Sequence, residues 1–262
     1  MSFSSEVKKE LAGQIGNARH CQIAELAALL GSTEAAASLV PLYLPDQPFH
    51  SGIILFPYAG GDAAAYTALV AEFKKRKAPA ALYFLSWGEN LDGARTRILE
   101  LAGEMEIRFY SHCAGSAIAM KLLEQLNGPQ MTVGRYFAGA DIPPARAENI
   151  WKAISDRELM KILSRAGLPQ LPKDRMEDLI IRFRSNTEEY FEFLGSRREK
   201  IPCRVTLILS RKDLFTQDYQ NAIDRWSQYV VAVGDVHYID SPTHYFQSTE
   251  AAALADILLS ED

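Results

Sequence analysis

Residues Glu106 to Met120 read EIRFYSHCAGSAIAM. A short apolar segment carrying Ile107 and Phe109 runs into Ser111-His112-Cys113-Ala114-Gly115, and a segment rich in small residues leaves it. In the outgoing segment Ile118, Leu122 and Leu126 fall at i, i+4 and i+8, one face of a helix. A tight strand-to-helix turn of this kind, usually written G-x-S-x-G, holds a nucleophile in a strained backbone conformation. Small residues two before and two after the centre are required because strand and helix backbones nearly touch there. Ser111 and Gly115 meet that condition with Cys113 at the centre. The helix N-terminus favours a thiolate, and the Ala114 N–H is free to donate to an oxyanion. A cysteine alone is usually a small core residue; strand, small flanks and helix together favour the nucleophile.

The same alternation extends on both sides. Candidate strands are Gly52–Pro57, Ala80–Ser86, Glu106–Ser111, Val133–Gly139, Arg204–Ser210 and Tyr229–Val233, mostly β-branched or aromatic and without polar alternation. Helical stretches lie near Ala64–Lys75, Gly93–Gly103, Ala114–Leu126, Gln217–Ser227 and Thr249–Leu259. This predicts an α/β fold with a mostly parallel central sheet flanked by helices. From about Ala145 to Lys200 the strands stop and helical spacing continues, with Ser155 and Glu158 forming a capping box and Gly167 with Pro169 a stop. A helical insertion there lies at one end of the sheet, where a lid would sit; an ordinary helical excursion gives the same pattern. Residues 1–50 differ: two helices, about Phe3–Ala12 and Ala18–Leu30, precede a stretch with Pro41, Pro45, Pro48 and Gly52, a linker or an extended edge segment. The expected division is a helical extension and linker over 1–50 and the main domain over 51–262.

Composition narrows the function classes. The 262 residues are 48% hydrophobic and 23% charged, an ordinary globular balance. With 28 Lys and Arg against 33 Asp and Glu, the net charge of −5 supplies no global field for nucleic acid. Cys21, Cys113 and Cys203 cannot all pair and form no CxxC knuckle, so free thiols, no metal and no cofactor are expected. Glu6, Lys8, Lys9 and Arg19 interrupt the N-terminus, and no apolar run is long enough to span a membrane. A cytoplasmic location with no membrane contact is expected.

A cysteine nucleophile needs a base and an orienting acid. His20 and His50 lie outside the alternating pattern, and the side chain of His112 should diverge from its neighbour Cys113. His244, in the loop SPTHYFQ before the final helix, is favoured as base over His237 in VGDVHYID. Asp213 follows the strand RVTLILS, 31 residues before His244, at a strand's carboxyl end where sites in open α/β sheets are built; Asp218, Asp235 and Asp240 are less well placed. The order nucleophile, acid, histidine is that of α/β-hydrolases. Gly60-Gly61, after the first core strand, lets backbone approach a substrate closely.

Five segments in order resemble the type II thioesterase family of α/β-hydrolases, the stand-alone editing enzymes of nonribosomal peptide and polyketide assembly lines. LFPYAGGDAAAY resembles the family's F-P-x-A-G-G-x-x-x-x-Y loop, and SHCAGSAIAM stands where the family has G-H-S-M-G-A. ISDRELMKILSRAGLPQ with RFRSNTEEY is similar to L-S-D-x-E-L and L-R-A-D-x-x-x-x-E-x-Y. SRKDLFT, Trp226 and THYFQ stand for G-x-x-D, W and G-H-F-F-L. The resemblance runs from about Gly52 to the C-terminus. It implies Cys113 as nucleophile, Asp213 as acid, His244 as base and Ala59 and Ala114 as oxyanion donors. The implied partner is an acyl or peptidyl carrier protein, presenting its acyl chain on a phosphopantetheine arm. Two departures stand out: cysteine replaces the family's usual serine, and SWGENLD only partly matches P-G-R-E. A thiolate exchanges one thioester for another, so hydrolysis is retained while acyl transfer or release of a reactive product is more to be expected than in an ordinary editing enzyme.

MSFSSEVKKEL followed by CQIAELAALLG is similar to the opening of WhiA-type DNA-binding regulators, which descend from LAGLIDADG endonucleases. About thirty residues are too few to bind DNA alone, so an appendage for packing or association is expected and nucleic acid is not. Two other functions fit the same residues: an esterase or amidase on a free small molecule, and a non-catalytic regulator or scaffold that works through its N-terminal helices.

Overall fold

A computed structural model describes residues 39–88, 90–126, 133–145, 148–168 and 172–260. The chain divides into units 1–36 and 37–262; the expected helices Phe3–Ala12 and Ala18–Leu30, with Cys21 and His20, lie outside the described residues, as does Pro169.

In chain order the unit 37–262 contains β1 (Val40–Tyr43), β2 (Ser51–Phe56), α1 (Thr67–Arg76), β3 (Ala80–Phe84), α2 (Leu91–Ala102), β4 (Glu106–His112), α3 (Ser116–Leu126) and β5 (Val133–Gly139). Then come α4 (Asp156–Arg165), α5 (Lys173–Ser196), β6 (Ile201–Leu209), α6 (Ala222–Trp226), β7 (Val230–Tyr238), α7 (Phe246–Thr249) and α8 (Ala251–Leu258). The seven strands form one sheet in the order β1-β3-β2-β4-β5-β6-β7, with only β1 antiparallel to its neighbour.

Side chains alternate across each strand, and both faces are covered. Ile53 and Leu55 pack with Leu69 and Phe73 of α1 and Leu254 and Leu258 of α8, whereas Ile54 and Phe56 pack with Ile98 of α2, Ile118 and Leu122 of α3 and Trp226. Strands buried on both sides carry no polar alternation, which is why β2 and β3 read as nearly continuous apolar runs.

Boundaries move at both edges of the sheet, and β6 starts at Ile201 rather than Arg204. β1 lies ahead of residue 51, so the sheet starts earlier than the sequence division places it. Pro41 sits on this edge strand, where a missing N–H is tolerated. β7 runs to Tyr238 rather than Val233. It is the opposite edge and partly exposed, which admits Gly234 and Asp235 and hides the strand from an apolar-run criterion. The helical insertion between β5 and β6 consists of α4 and α5. The Ser155 side chain and Glu158 form both halves of the expected capping box. α4 ends with the Gly167 N–H on Ser164 O (3.1 Å) and the Leu168 N–H on Leu163 O (3.0 Å), Gly167 taking φ +98.

Among the described residues no helix is long and apolar enough to cross a membrane.

Candidate active site

The turn after β4 has the strained geometry expected of it. Cys113 has φ +52, a left-handed conformation that costs a residue with a β-carbon about 1–2 kcal/mol. Gly115 makes the turn possible: a β-carbon there would lie 2.5 Å from Pro57 O and 2.7 Å from Phe56 O. Ala114 is in the first turn of the outgoing helix, where a backbone N–H has no intrahelical acceptor. Ser111, the small residue on the strand side, shares a hydrogen bond of 2.9 Å with the Tyr136 hydroxyl.

Asp213, just past β6, is fully buried and accepts three hydrogen bonds: from the Phe215 N–H (2.9 Å), the Thr216 hydroxyl (2.8 Å) and His244 Nδ1 (2.8 Å). Burial pushes its pKa up, but His244 and the two other donors outweigh that and hold the carboxyl below its ordinary value. His244 Nε2 is buried without a formed hydrogen bond. The Cys113 sulfur is its neighbour, close enough to act on it electrostatically. Burial alone would lower the imidazole pKa; the negative charge available on Cys113 and Asp213 reverses this and carries it up to about 10. The ring is therefore built to hold a proton beside the sulfur.

His112 is not positioned as a base for Cys113. Its Nε2 donates to the carbonyl of His244 (2.9 Å), so its Nδ1 must accept from the Tyr110 hydroxyl (2.8 Å). Full burial, with the positive charge of His244 nearby, lowers its pKa to about 3 and keeps it neutral. The His244 N–H donates to Ala166 O at the end of α4 (2.8 Å). Gly167 allows that approach, since a β-carbon there would meet the Thr243 side chain at 2.6 Å.

The loop after β2 is fixed from three sides. The Gly60 N–H donates to Asn186 Oδ1 of α5 (2.8 Å), the Trp87 indole to Pro57 O (3.1 Å), and the Tyr66 hydroxyl to Phe56 O (2.7 Å). Ala59 lies between these anchors, and with Ala114, Cys113 and His244 it lines a cavity of 210 Å³. Trp151, Phe183 and Phe215 form part of its wall. Arg184 of α5 holds the Trp151 segment by donating to Trp151 O (2.8 Å), Ile154 O (2.7 Å) and Asp156.

His237 is on β7, paired with Ile208, and is not among the residues lining this cavity. Asp218 and Asp240 pair with Arg225 and Lys212, and Asp235 is exposed on β7. Among the described residues no cluster of three His, Cys, Asp or Glu is arranged to hold a metal. The sequence reading missed Asp141, Trp87 and the bracing role of His112. For Asp141 a signal existed: it follows a strand, as Asp213 does.

No family model matches the chain. Two curated proteins, each a "Probable cell division protein WhiA", match a short N-terminal stretch. The one from Lachnoclostridium phytofermentans is 62% identical over 32 residues, 12% of this chain and 10% of that protein. The one from Lachnospira eligens is 68% identical over 31 residues. The chain spans about a tenth of the length of these relatives. Solved structures match over far more. The type II thioesterase YbtT of a yersiniabactin pathway aligns at TM-score 0.61 and 16% identity, over 85% of this chain and 97% of its own. BorB, the type II thioesterase of the borrelidin cluster, aligns at TM-score 0.64 and 15% identity, covering 87% and 98%. RedJ, a thioesterase from the prodiginine pathway of Streptomyces coelicolor, aligns at TM-score 0.63 and 16% identity, covering 87% and 95%. The chain therefore has the α/β-hydrolase fold that these thioesterases share.

Proposed function

We propose that this protein is a thioesterase or acyltransferase acting on acyl or peptidyl thioesters of a phosphopantetheinyl carrier protein, through Cys113, His244 and Asp213. One observation carries the reading: His244 is hydrogen-bonded to Asp213 through Nδ1, while its unpaired Nε2 neighbours the sulfur of a left-handed Cys113. The fold shared with carrier-pathway thioesterases supports the substrate class.

The Cys113 thiolate attacks the thioester carbonyl, and the N–H groups of Ala59 and Ala114 receive the oxyanion. The tetrahedral adduct expels the phosphopantetheine thiolate, which takes the proton from His244 and leaves an acyl-Cys. His244 then removes a proton from water as the oxygen attacks, and the adduct releases the acid and the Cys113 thiolate. An amine acceptor in place of water gives transfer by the same steps. Asp213 holds the Nδ1–H tautomer throughout and stabilises the imidazolium. Helix α5, through Phe183, Thr187, Tyr190 and Phe191, and the Trp151 segment wall the cavity on one side and serve as its lid.

The test is intact mass spectrometry after incubation with an acylated carrier protein. The wild type should gain the acyl mass on Cys113 and the carrier should lose it; Cys113→Ala should do neither. Turnover or acylation that persists in Cys113→Ala would refute the assignment.

A further inference from the structure

We propose that the cavity beside Cys113 recognises an acyl group bearing a cationic amine next to its thioester carbonyl, and that Asp141 binds that amine. This rests on the reading of Cys113 as the residue that is acylated.

The position comes from strand register. β4 and β5 pair in parallel with His112 opposite Gly139, so Cys113 and Asp141 emerge side by side, one and two residues past the last pair. Neighbouring strands lie about 4.8 Å apart. That separation suits a carboxylate bonded to a nitrogen two bonds from the carbonyl carbon under attack. The chain is bent to achieve it. Only three non-glycine residues among those described have positive φ: Lys77, which caps α1, Cys113, and Ala140 at φ +49. Two strained residues thus stand at the ends of adjacent strands, both lining the cavity. The Ala140 N–H donates to Ile208 O (2.9 Å), and the buried Trp226 indole donates to Asp141 O (3.0 Å), which holds the bend in place.

Among the described residues the carboxylate forms no ion pair: the His244 imidazolium acts on it only electrostatically, and that ring is hydrogen-bonded to Asp213 instead. Asp141 is only 5% exposed, and its oxygens accept from the Ser116 hydroxyl (2.6 Å) and the Tyr190 hydroxyl (2.9 Å), both neutral. Among the described residues no lysine or arginine pairs with it, and none lines the cavity. A buried carboxylate without a bonded cation is costly, and burial raises its pKa to about 6. Each oxygen keeps a lone pair for another donor. The surrounding wall is aromatic (Tyr58, Trp151, Phe183, Tyr190 and Phe215), and ring faces attract an ammonium. An amine on the acyl group would give Asp141 a directly bonded cation, which His244, held by Asp213, does not.

The experiment compares carrier proteins loaded with alanyl and with propionyl groups, which differ in the amine. The wild type should show a kcat/KM ratio of alanyl to propionyl at least roughly ten-fold above that of Asp141→Asn. Comparing ratios cancels the intrinsic electrophilicity of aminoacyl thioesters, and asparagine preserves the shape of the site and a partner for each hydroxyl. An equal fall on both substrates would overturn the proposal, as would an unchanged ratio. A second measurement needs no variant and no turnover. Alaninamide should slow iodoacetamide alkylation of wild-type Cys113 while propionamide at the same concentration should not; equal protection, or none by either, would overturn amine recognition. Failure of the wild type to react with either carrier, with alaninamide still protective, would count against the thioesterase reading and spare the amine site.

Discussion

Replacing Gly115 with alanine separates two effects of opposite sign. Gly115 is at the start of a helix and has no positive φ, so backbone preference alone favours alanine, by up to about 1 kcal/mol. The packing says otherwise. The new β-carbon would fall 2.5 Å from Pro57 O and 2.7 Å from Phe56 O, against about 3.3 Å for a close carbon–oxygen contact. Strand and helix must separate by roughly the difference, well over half an ångström. Neither oxygen is free to retreat: Phe56 O accepts from Tyr66 and Pro57 O from Trp87. Losing both bonds or straining around them costs about 2–4 kcal/mol, more than the helix preference returns. The same displacement pulls Cys113 away from Ala59, and a shift approaching 1 Å at a reacting centre lowers rate by about 100-fold. Urea unfolding should show a lower midpoint with unchanged slope, and turnover of an acylated carrier should fall with it. An alanine variant as stable as the wild type, with full activity, would show that the close approach does not constrain the site.

Two other expectations use the same geometry. Since Cys113 and Asp213 together raise the His244 pKa to about 10, imidazole resonances of isotope-labelled His244 should report a protonated ring at pH 8. In Cys113→Ala, where only Asp213 opposes burial, the midpoint should move down. The sign extends to stability: a proton kept to about pH 10 in the fold but lost near 6.5 from an unfolded chain stabilises fully below pH 6.5, and the effect disappears as pH rises through 10. A His244 midpoint unmoved by removal of the sulfur would contradict the pairing. Arg184→Ala removes the donors that hold Trp151 O and Ile154 O; it should cost about 1–2 kcal/mol in urea unfolding and speed alkylation of Cys113, and an unchanged alkylation rate would show that the Trp151 segment is held by other contacts.

What could be read in the sequence followed how local each cause was. β2 and β3 announce themselves because a strand covered on both faces is a plain apolar run, and β4 and β5 through their aromatic and β-branched residues. β1 and the second half of β7 do not, since edges tolerate Pro41, Gly234 and Asp235. The strained turn at Cys113 was legible because it constrains its immediate neighbours. The pairing of Asp213 with His244 was within reach because strand ends and the loop before the last helix are few. The role of His112 was out of reach, as its partner is a backbone carbonyl 132 residues away. The position of Asp141 past a strand end was legible, but its setting depends on Ser116, Tyr190 and Trp226 arriving from three other elements.

The peptide groups of His244 are gripped on both sides, the N–H by the carboxyl end of α4 and the C=O by His112. His112 is also the residue immediately before the sulfur. The Cys113 turn and the His244 loop are therefore tied together through one side chain, so a substitution at His112 disturbs the placement of both residues at once.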